Sequence, residues 1–185
     1  IENWSQYLTA NYDYQNSESE YKNFLLTAGY RHDYHDHWGN HVTYKFGGGY
    51  YLPKTNTRFH TSYATAFISP TLDDLYSSSS NPNVTPETSK SFEFGLKQNL
   101  SERSNLNMTF FNDSRKDMIA LDGNWIPQNS EKVYSRGLET ELKLGLPKHF
   151  NLALSHTWNE HYDQDNRPLI RRAKNKIKAT LTHTW

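Results

Sequence analysis

Cysteine is absent from the 185-residue chain, which removes disulfides, zinc fingers and thiol catalysis and leaves the redox compartment open. No run of about 18 apolar residues occurs, so no transmembrane helix is encoded. The opening "IENWSQYLTA" lacks the basic and apolar layout of a signal peptide and reads as though cut from something longer. An excess of charge is missing too: 20 basic and 20 acidic residues cancel, so nothing points to nucleic acid or to an acidic membrane surface. Apolar residues are few, at 35%, with a mean hydropathy of −0.93. Aromatic residues are plentiful, with 13 Tyr, 9 Phe and 5 Trp, and disordered chains of similar polarity lack them.

What is present is alternation with a period of two. From Gly137 to Leu146, Leu138, Thr140, Leu142, Leu144 and Leu146 alternate with Glu139, Glu141, Lys143 and Gly145. Ser91 to Leu100 and the final segment through Ile177, Ala179, Leu181 and Trp185 repeat the scheme. Weaker copies at Gln6–Gln15, Phe24–Tyr34, His41–Leu52, Arg58–Phe67, Leu106–Asp113 and Phe150–Trp158 bring the expected total to nine strands. Connections alternate in length. Short turns are expected near Asn16–Glu20, Pro53–Thr57, Ser101–Ser104 and Pro147–His149, and long polar loops near His35–Asn40, Ile68–Ser89, Ala120–Lys132 and Asp163–Arg171. An up-and-down antiparallel sheet with one trimmed and one elaborated end is how outer-membrane barrels are built. Tyr12, Tyr14, Tyr50, Phe67, Trp158 and Trp185 fall toward strand ends on the apolar face, as interfacial aromatics do. The expected fold is therefore all-β, an antiparallel up-and-down transmembrane β-barrel represented by about nine strands.

Specific strings go further. "YATAFISPTLDDLY" (Tyr63 to Tyr76) and "NPNVTPETSKSFEFGLK" (Asn81 to Lys97) resemble the barrel of TonB-dependent outer-membrane receptors. The resemblance runs through Phe67, Pro70, Asp74, Leu75, Tyr76, Asn81, Pro82, Asn83, Val84, Pro86, Glu87, Ser89, Glu93 and Gly95. Downstream, Asp117 and Ile119, then Gly137, Leu138 and Glu139, match later strand marks, and "RPLIRRAKNKI" is similar to a segment of the cobalamin-receptor branch. The resemblance implies a central portion of a 22-stranded barrel, without its plug domain. It also implies import of a scarce nutrient, cobalamin or a ferric siderophore, driven by TonB acting on the plug. Outer-membrane lipid and lipopolysaccharide are the implied surroundings, and no enzymatic activity or cofactor is implied. Haem receptors of the family typically carry a ligating His between the two boxes, and none stands between Phe67 and Asn81 here.

Ligand contacts are expected in the long loops, because loops carry function. Asp73, Asp74, Tyr76 and Asn81 stand in the first large loop, Asp122, Trp125 and Gln128 in the second, and Arg171, with Arg167 and Arg172, in the last. The bland alternative is that the Pro and Asn boxes specify loop architecture, and that Arg58, Lys97, Glu139, Glu141 and Lys143 form a solvated, self-compensating lumen wall. Two other classes stay open at this point. A small closed barrel of structural or adhesive role explains the alternation but not the boxes; a soluble β-rich carbohydrate-binding or hydrolase domain needs a buried sheet face and paired carboxylates.

"RHDYHDHWGNH" (Arg31 to His41) holds four of the chain's nine histidines and invites a metal reading. Alternation, however, sends His32 and Tyr34 to the face opposite Arg31 and Asp33. The expected role is family architecture: Arg31 and Asp33 ending a strand, with Trp38 and Gly39 closing the turn.

Overall fold

A computed structural model describes residues 3–15, 23–130 and 132–184. Nine long strands form one sheet: β1 (Asn3–Gln15), β2 (Asn23–His35), β3 (Gly39–Leu52), β4 (Thr57–Ile68), β5 (Glu87–Ser101), β6 (Ser104–Lys116), β9 (Val133–Gly145), β10 (Phe150–Asp163) and β11 (Asn175–His183). Each pairs antiparallel with its neighbour along the chain. The one detour is a small hairpin, β7 (Ile119–Leu121) with β8 (Pro127–Asn129), inserted between β6 and β9. The sheet is open, with β1 and β11 as its edges among the described residues: a partial barrel.

All nine expected strands are found, and several run further toward the loop end than alternation foretells. β10 continues to Asp163 and β9 begins at Val133. In those extensions, such as Val133-Tyr134-Ser135-Arg136, the apolar and polar alternation fades, so periodicity cannot mark them although the hydrogen-bond ladder persists. One connection is corrected outright. His35–Asn40 is not a long loop: β2 and β3 are joined by the three residues Asp36, His37 and Trp38, with Gly39 at φ +75°. The polarity of that stretch belongs to strand ends above the apolar zone. The Asn16–Glu20 turn and Trp185 lie outside the described residues.

Register sorts the side chains onto two faces. Tyr12, Leu26, Phe94, Phe110, Leu138 and Trp158 lie in one cross-strand row and Tyr14, Phe24, Tyr50, Phe59, Leu96 and Met108 in another, all on one face. The opposite face carries Lys45, Arg58, Glu93, Lys97, Asn107, Glu139, Glu141 and Lys176. The apolar face is uncovered: Leu8 is 70% exposed, Phe46 55% and Leu181 61%. A sandwich would cover such a face with a second sheet, so this is the wall that a lipid-facing barrel requires. Phe24 meets Tyr50 at the short-turn end, ring centroids 4.8 Å apart, in keeping with an aromatic belt. Phe67 departs from the belt. The β3–β4 ladder stops at Lys45 and Ala64, and beyond it Phe67, still paired with Thr88 of β5, stacks on His41 of β3 at 4.7 Å.

The buried aliphatic side chains of the described residues are Leu75 and Val84, at 2% and 3% exposure, both in the β4–β5 loop, where the buried prolines Pro70 and Pro86 also lie, with Pro127 in the β7–β8 hairpin. The compact core of this fragment therefore lies in the loops rather than in the sheet.

Candidate functional site: a tied loop platform

The four connections at the elaborated end are the β2–β3 turn and the loops 69–86, 117–132 and 164–174. In loop 69–86 the string Thr71-Leu72-Asp73-Asp74 is a helix start, and it caps α1 (Leu72–Tyr76). Thr71 Oγ1 accepts from Asp74 N at 3.1 Å, and Asp74 Oδ2 accepts from Thr71 N at 2.8 Å. Asp73 and Asp74 both stand in the first turn, where the helix dipole favours negative charge. Leu75 is thereby turned inward, while Asp73 and Tyr76 face solvent.

The asparagine box follows. Asn81 N donates to Asp74 O at 2.8 Å, and Asn81 Oδ1 accepts from Asn83 N at 3.0 Å, an Asx turn. Asn81 Nδ2 donates to Pro127 O at 3.0 Å, which reaches across to β8. A second crossing is made by Asn129. Its Oδ1 accepts from Thr85 N (2.8 Å) and Thr85 Oγ1 (3.1 Å), and its Nδ2 donates to Thr85 O (2.8 Å) and Asp117 O (2.7 Å). A third is Ile119 N donating to Glu87 Oε1 at 2.8 Å. The bland reading of the boxes is thus the one their geometry supports: they weld two loops together.

The β7–β8 hairpin is closed by Asp122. Its Oδ1 accepts from Asn124 N (2.8 Å) and Ile126 N (2.9 Å), and its Oδ2 accepts from Gln128 Nε2 (3.1 Å). These donors, the Ile126 N–H foremost and the Asn124 N–H next, hold the carboxyl below the ordinary aspartate value. Trp125 sits at the tip in the left-handed region, φ +63°, with 74% of its surface exposed. In loop 164–174, Asp163 Oδ1 caps the turn by accepting from Asp165 N and Arg167 N at 2.9 and 2.8 Å. Arg167 pairs with Asp165 at 2.8 Å, and Arg171, at φ +60°, is exposed like Arg172.

The β2–β3 turn leans on this platform. His37 Nε2 lies 3.3 Å from Pro82 O, its ring meets Tyr76 edge-on at 6.3 Å, and His35 stacks on Trp38 at 3.6 Å. His41 Nε2 lies 3.2 Å from Trp38 O, while His32 turns to the other face, bonding Asn40 at 2.8 Å and meeting Trp4. Three of the four histidines thus gather on Trp38, whose ring His37 also meets edge-on at 5.8 Å, and His32 stands apart from them. Arg31 and Asp33 form a close ion pair, 2.6 Å, on the inward face.

The eight loop residues expected to touch ligand therefore divide. Asp74, Asn81, Asp122 and Gln128 spend their polar atoms on loop architecture, whereas Asp73, Tyr76, Trp125 and Arg171 present side chains outward. Sequence reasoning missed Asn129, which carries no motif of its own, and gave His37 only its place in the histidine stretch. Beneath the platform, a hollow of about 590 Å³ is lined by Arg31, Asp33, His35, Trp38, Phe67 and Leu72 among others. A smaller one, about 160 Å³, separates His37 and Trp38 from Leu72 and Tyr76. Toward the short-turn end the inward face holds a further hollow of about 570 Å³ beside Asp13, Tyr51, Arg58, His60 and Lys97.

Two strand glycines matter to this inward face. A Cβ on Gly95 would fall 2.0 Å from the His60 ring, and one on Gly137 would fall 2.4 Å from Trp158 O and 2.5 Å from the Phe111 ring. Each ring lies across a glycine of the next strand, which explains two of the marks in the resemblance.

The sequence that builds this sheet matches one family description over residues 1–185: TonB dependent receptor-like, beta-barrel. The chain belongs to the TonB-dependent receptor β-barrel family. A curated relative is the vitamin B12 transporter BtuB of Vibrio vulnificus, 31% identical over 99% of this chain and 29% of that protein. The chain thus spans less than a third of that relative's length. Among solved structures, the siderophore receptor PirA of Pseudomonas aeruginosa superposes with a TM-score of 0.74 at 21% identity, covering 86% of this chain and 32% of that one. The FrpB iron transporter of Neisseria meningitidis gives 0.72 at 18% identity, covering 99% and 30%. At those identities the two structures support the fold alone.

Proposed function

We propose that this chain is the central barrel portion of an outer-membrane importer that captures a scarce nutrient, with cobalamin first and ferric siderophores second. The observation that carries the reading is the welded platform. Three loops tied to one another above a charge-lined inward face form a preorganised rim, and a rim that is already ordered loses little entropy on capture. Asp73, Tyr76 and Trp125 are the contacts it offers, and Arg171 is offered by the separate loop 164–174. The likeness to a vitamin B12 transporter and the "RPLIRRAKNKI" segment support cobalamin. In this reading TonB acts through a plug domain outside this chain, and the barrel makes and breaks no covalent bond. Titration of the full-length receptor with cyanocobalamin, ferric siderophores and haem tests the order, and tight binding of haem alone would reverse it.

Haem is kept as a second reading on one observation. No histidine stands between Phe67 and Asn81, but His37 reaches the same loop from the β2–β3 turn, against Pro82 and Tyr76. A Soret shift on haem addition that vanishes in His37→Ala would favour it.

A further inference from the structure

Near the short-turn end of the inward face two cations stand directly opposite each other. Arg58 of β4 and Lys97 of β5 are cross-strand partners. Like charges placed opposite one another destabilise a sheet. Elsewhere the inner wall balances its charges: Lys143 lies 3.3 Å from Glu141, and Arg31 lies 2.6 Å from Asp33. Among the described residues, no carboxylate stands at ion-pair distance from Arg58 or Lys97. Onward from Lys97 their row runs through Asn107 to Glu141, and that carboxylate is already bonded by Asn107 at 3.3 Å and by Lys143.

The surroundings hold the two cations around a space. The Arg58 guanidinium carbon lies 5.0 Å from the Tyr51 ring centre, a cation–π contact that occupies one face of the group and leaves its N–H edge for other partners. On the neighbouring row Gly49 contributes no side chain, and the His60 ring lies across Gly95. The hollow of about 570 Å³ is lined here by Arg58, Lys97, His60 and Thr109, and Asp13, its acidic member among the described residues, stands three strands from Arg58 on β1. A hollow of this size suits part of a small molecule and is many times larger than a lone carboxylate side chain needs.

Position adds the last element. Arg58 stands ten residues down β4 from Ile68, about 25 Å below the loop platform for a strand tilted by about 40°. A solute captured at the rim meets this pair late in its passage. The arginine fork and the lysine ammonium are strong charge-assisted donors to phosphate and carboxylate oxygens.

We propose that Arg58 and Lys97, with the Thr109 hydroxyl and the His60 ring beside them, form an oxyanion site at the short-turn end of the inner wall, and that it takes a phosphate or carboxylate group of the nutrient as the nutrient leaves the barrel. The inference rests on the importer reading above and adds to it a second station, remote from the loops.

The test uses the full-length receptor. Crystals soaked in tungstate, an oxyanion located by its anomalous scattering, are expected to hold it within hydrogen-bond reach of both Arg58 and Lys97. The double variant Arg58→Gln, Lys97→Gln is expected to lose that peak. A wild-type soak without the peak, or a carboxylate of the protein's own seated between the two cations, would overturn the proposal. A second arm follows uptake by TonB-energised cells of cyanocobalamin, whose nucleotide arm carries a phosphodiester, and of dicyanocobinamide, which lacks it. The double variant is expected to slow cyanocobalamin uptake on the order of tenfold, as the loss of charge-assisted hydrogen bonds implies. Docking affinity in de-energised cells and cobinamide uptake stay at wild-type values, and Lys97→Arg keeps cyanocobalamin uptake. Equal slowing of both corrinoids would make the pair structural, and bound tungstate with cyanocobalamin uptake intact would mark an adventitious ion only; either result overturns the proposal. If the wild type imports neither corrinoid, the cobalamin reading fails instead, and the soak still decides whether the oxyanion site exists.

Discussion

Replacing Asn129 by alanine is the sharpest way to ask whether the loops form one body. The side chain makes four hydrogen bonds, three to Thr85 and one to Asp117 O, at 2.7 to 3.1 Å. A net hydrogen bond contributes about 0.5–1.5 kcal/mol, and Asn129 is only half-buried, so water recovers part of each loss. A total near 2 kcal/mol is the reasonable magnitude for the local tie. Hydrogen exchange on the full-length receptor reads it directly, because amides protected only by local closure lose protection in proportion to that free energy. About a 30-fold faster exchange follows for the Thr85 amide and for its neighbours in both loops. The Thr109 and Leu138 amides, deep in the β6–β9 ladder, keep their rates, since no bond of Asn129 reaches them. Asn129→Asp separates the two halves of the side chain: it retains acceptors for the Thr85 N–H but turns an anion toward the Thr85 and Asp117 carbonyls. It is expected to be at least as damaging as alanine. Unchanged exchange in loop 69–86 for both variants would refute the claim that Asn129 welds the platform.

Phe94 lies at the middle of β5 on the outward face, so Phe94→Arg should cost about 2–4 kcal/mol in unfolding from lipid vesicles, whereas Glu139→Gln on the inward face should change little. Gly137→Ala drives a methyl into Trp158 O and the Phe111 ring, and because a carbonyl cannot swing aside a loss of about 1–3 kcal/mol is expected in the same assay; near-neutrality would show that β9 and β10 can separate there without cost. The pH response of the hairpin follows from Asp122. Its folded value lies below the ordinary one of about 3.9, so its contribution is full above that pH and is lost as the pH falls through the depressed value. Trp125 fluorescence should therefore change only in that acid range, and Asp122→Asn should remove the transition.

The nine strands were legible because lipid on one side and polar lumen on the other impose a strict period of two, as at Leu138 to Gly145. That signal ends where the lipid ends, which is why Val133 to Arg136 and Asn159 to Asp163 went unread although they pair as regularly as the rest. The β2–β3 connection was misjudged for the same reason: polar residues at a strand end outside the bilayer look like loop. The loop contacts were legible as residue types and not as roles. Asp74 and Asp122 have the chemistry of ligand contacts, yet each faces backbone N–H groups of its own turn, and only three-dimensional closure shows that those groups are near. Asn129 was invisible because nothing local marks it; three of its four bonds go 44 residues away to Thr85 and the fourth to Asp117.

The buried pair Leu75 and Val84 connects these threads. A sheet whose apolar face is spent on lipid has no inner core to which its loops can anchor, and a loop of this length would ordinarily remain loose. Here the helix cap at Thr71 aims Leu75 inward, the Asn81 turn sets Val84 inward, and the crossings at Asn81, Asn129 and Glu87 tie the β7–β8 hairpin to the same loop. The motif strings are therefore a small folding unit of their own, built on the rim of the barrel. That construction also accounts for the side chains left outside it. Once Asp74, Asn81, Asp122 and Gln128 are committed to closure, Asp73, Tyr76 and Trp125 are held at fixed positions on a stiff surface. In the function proposed above, side chains fixed in this way select the nutrient by shape.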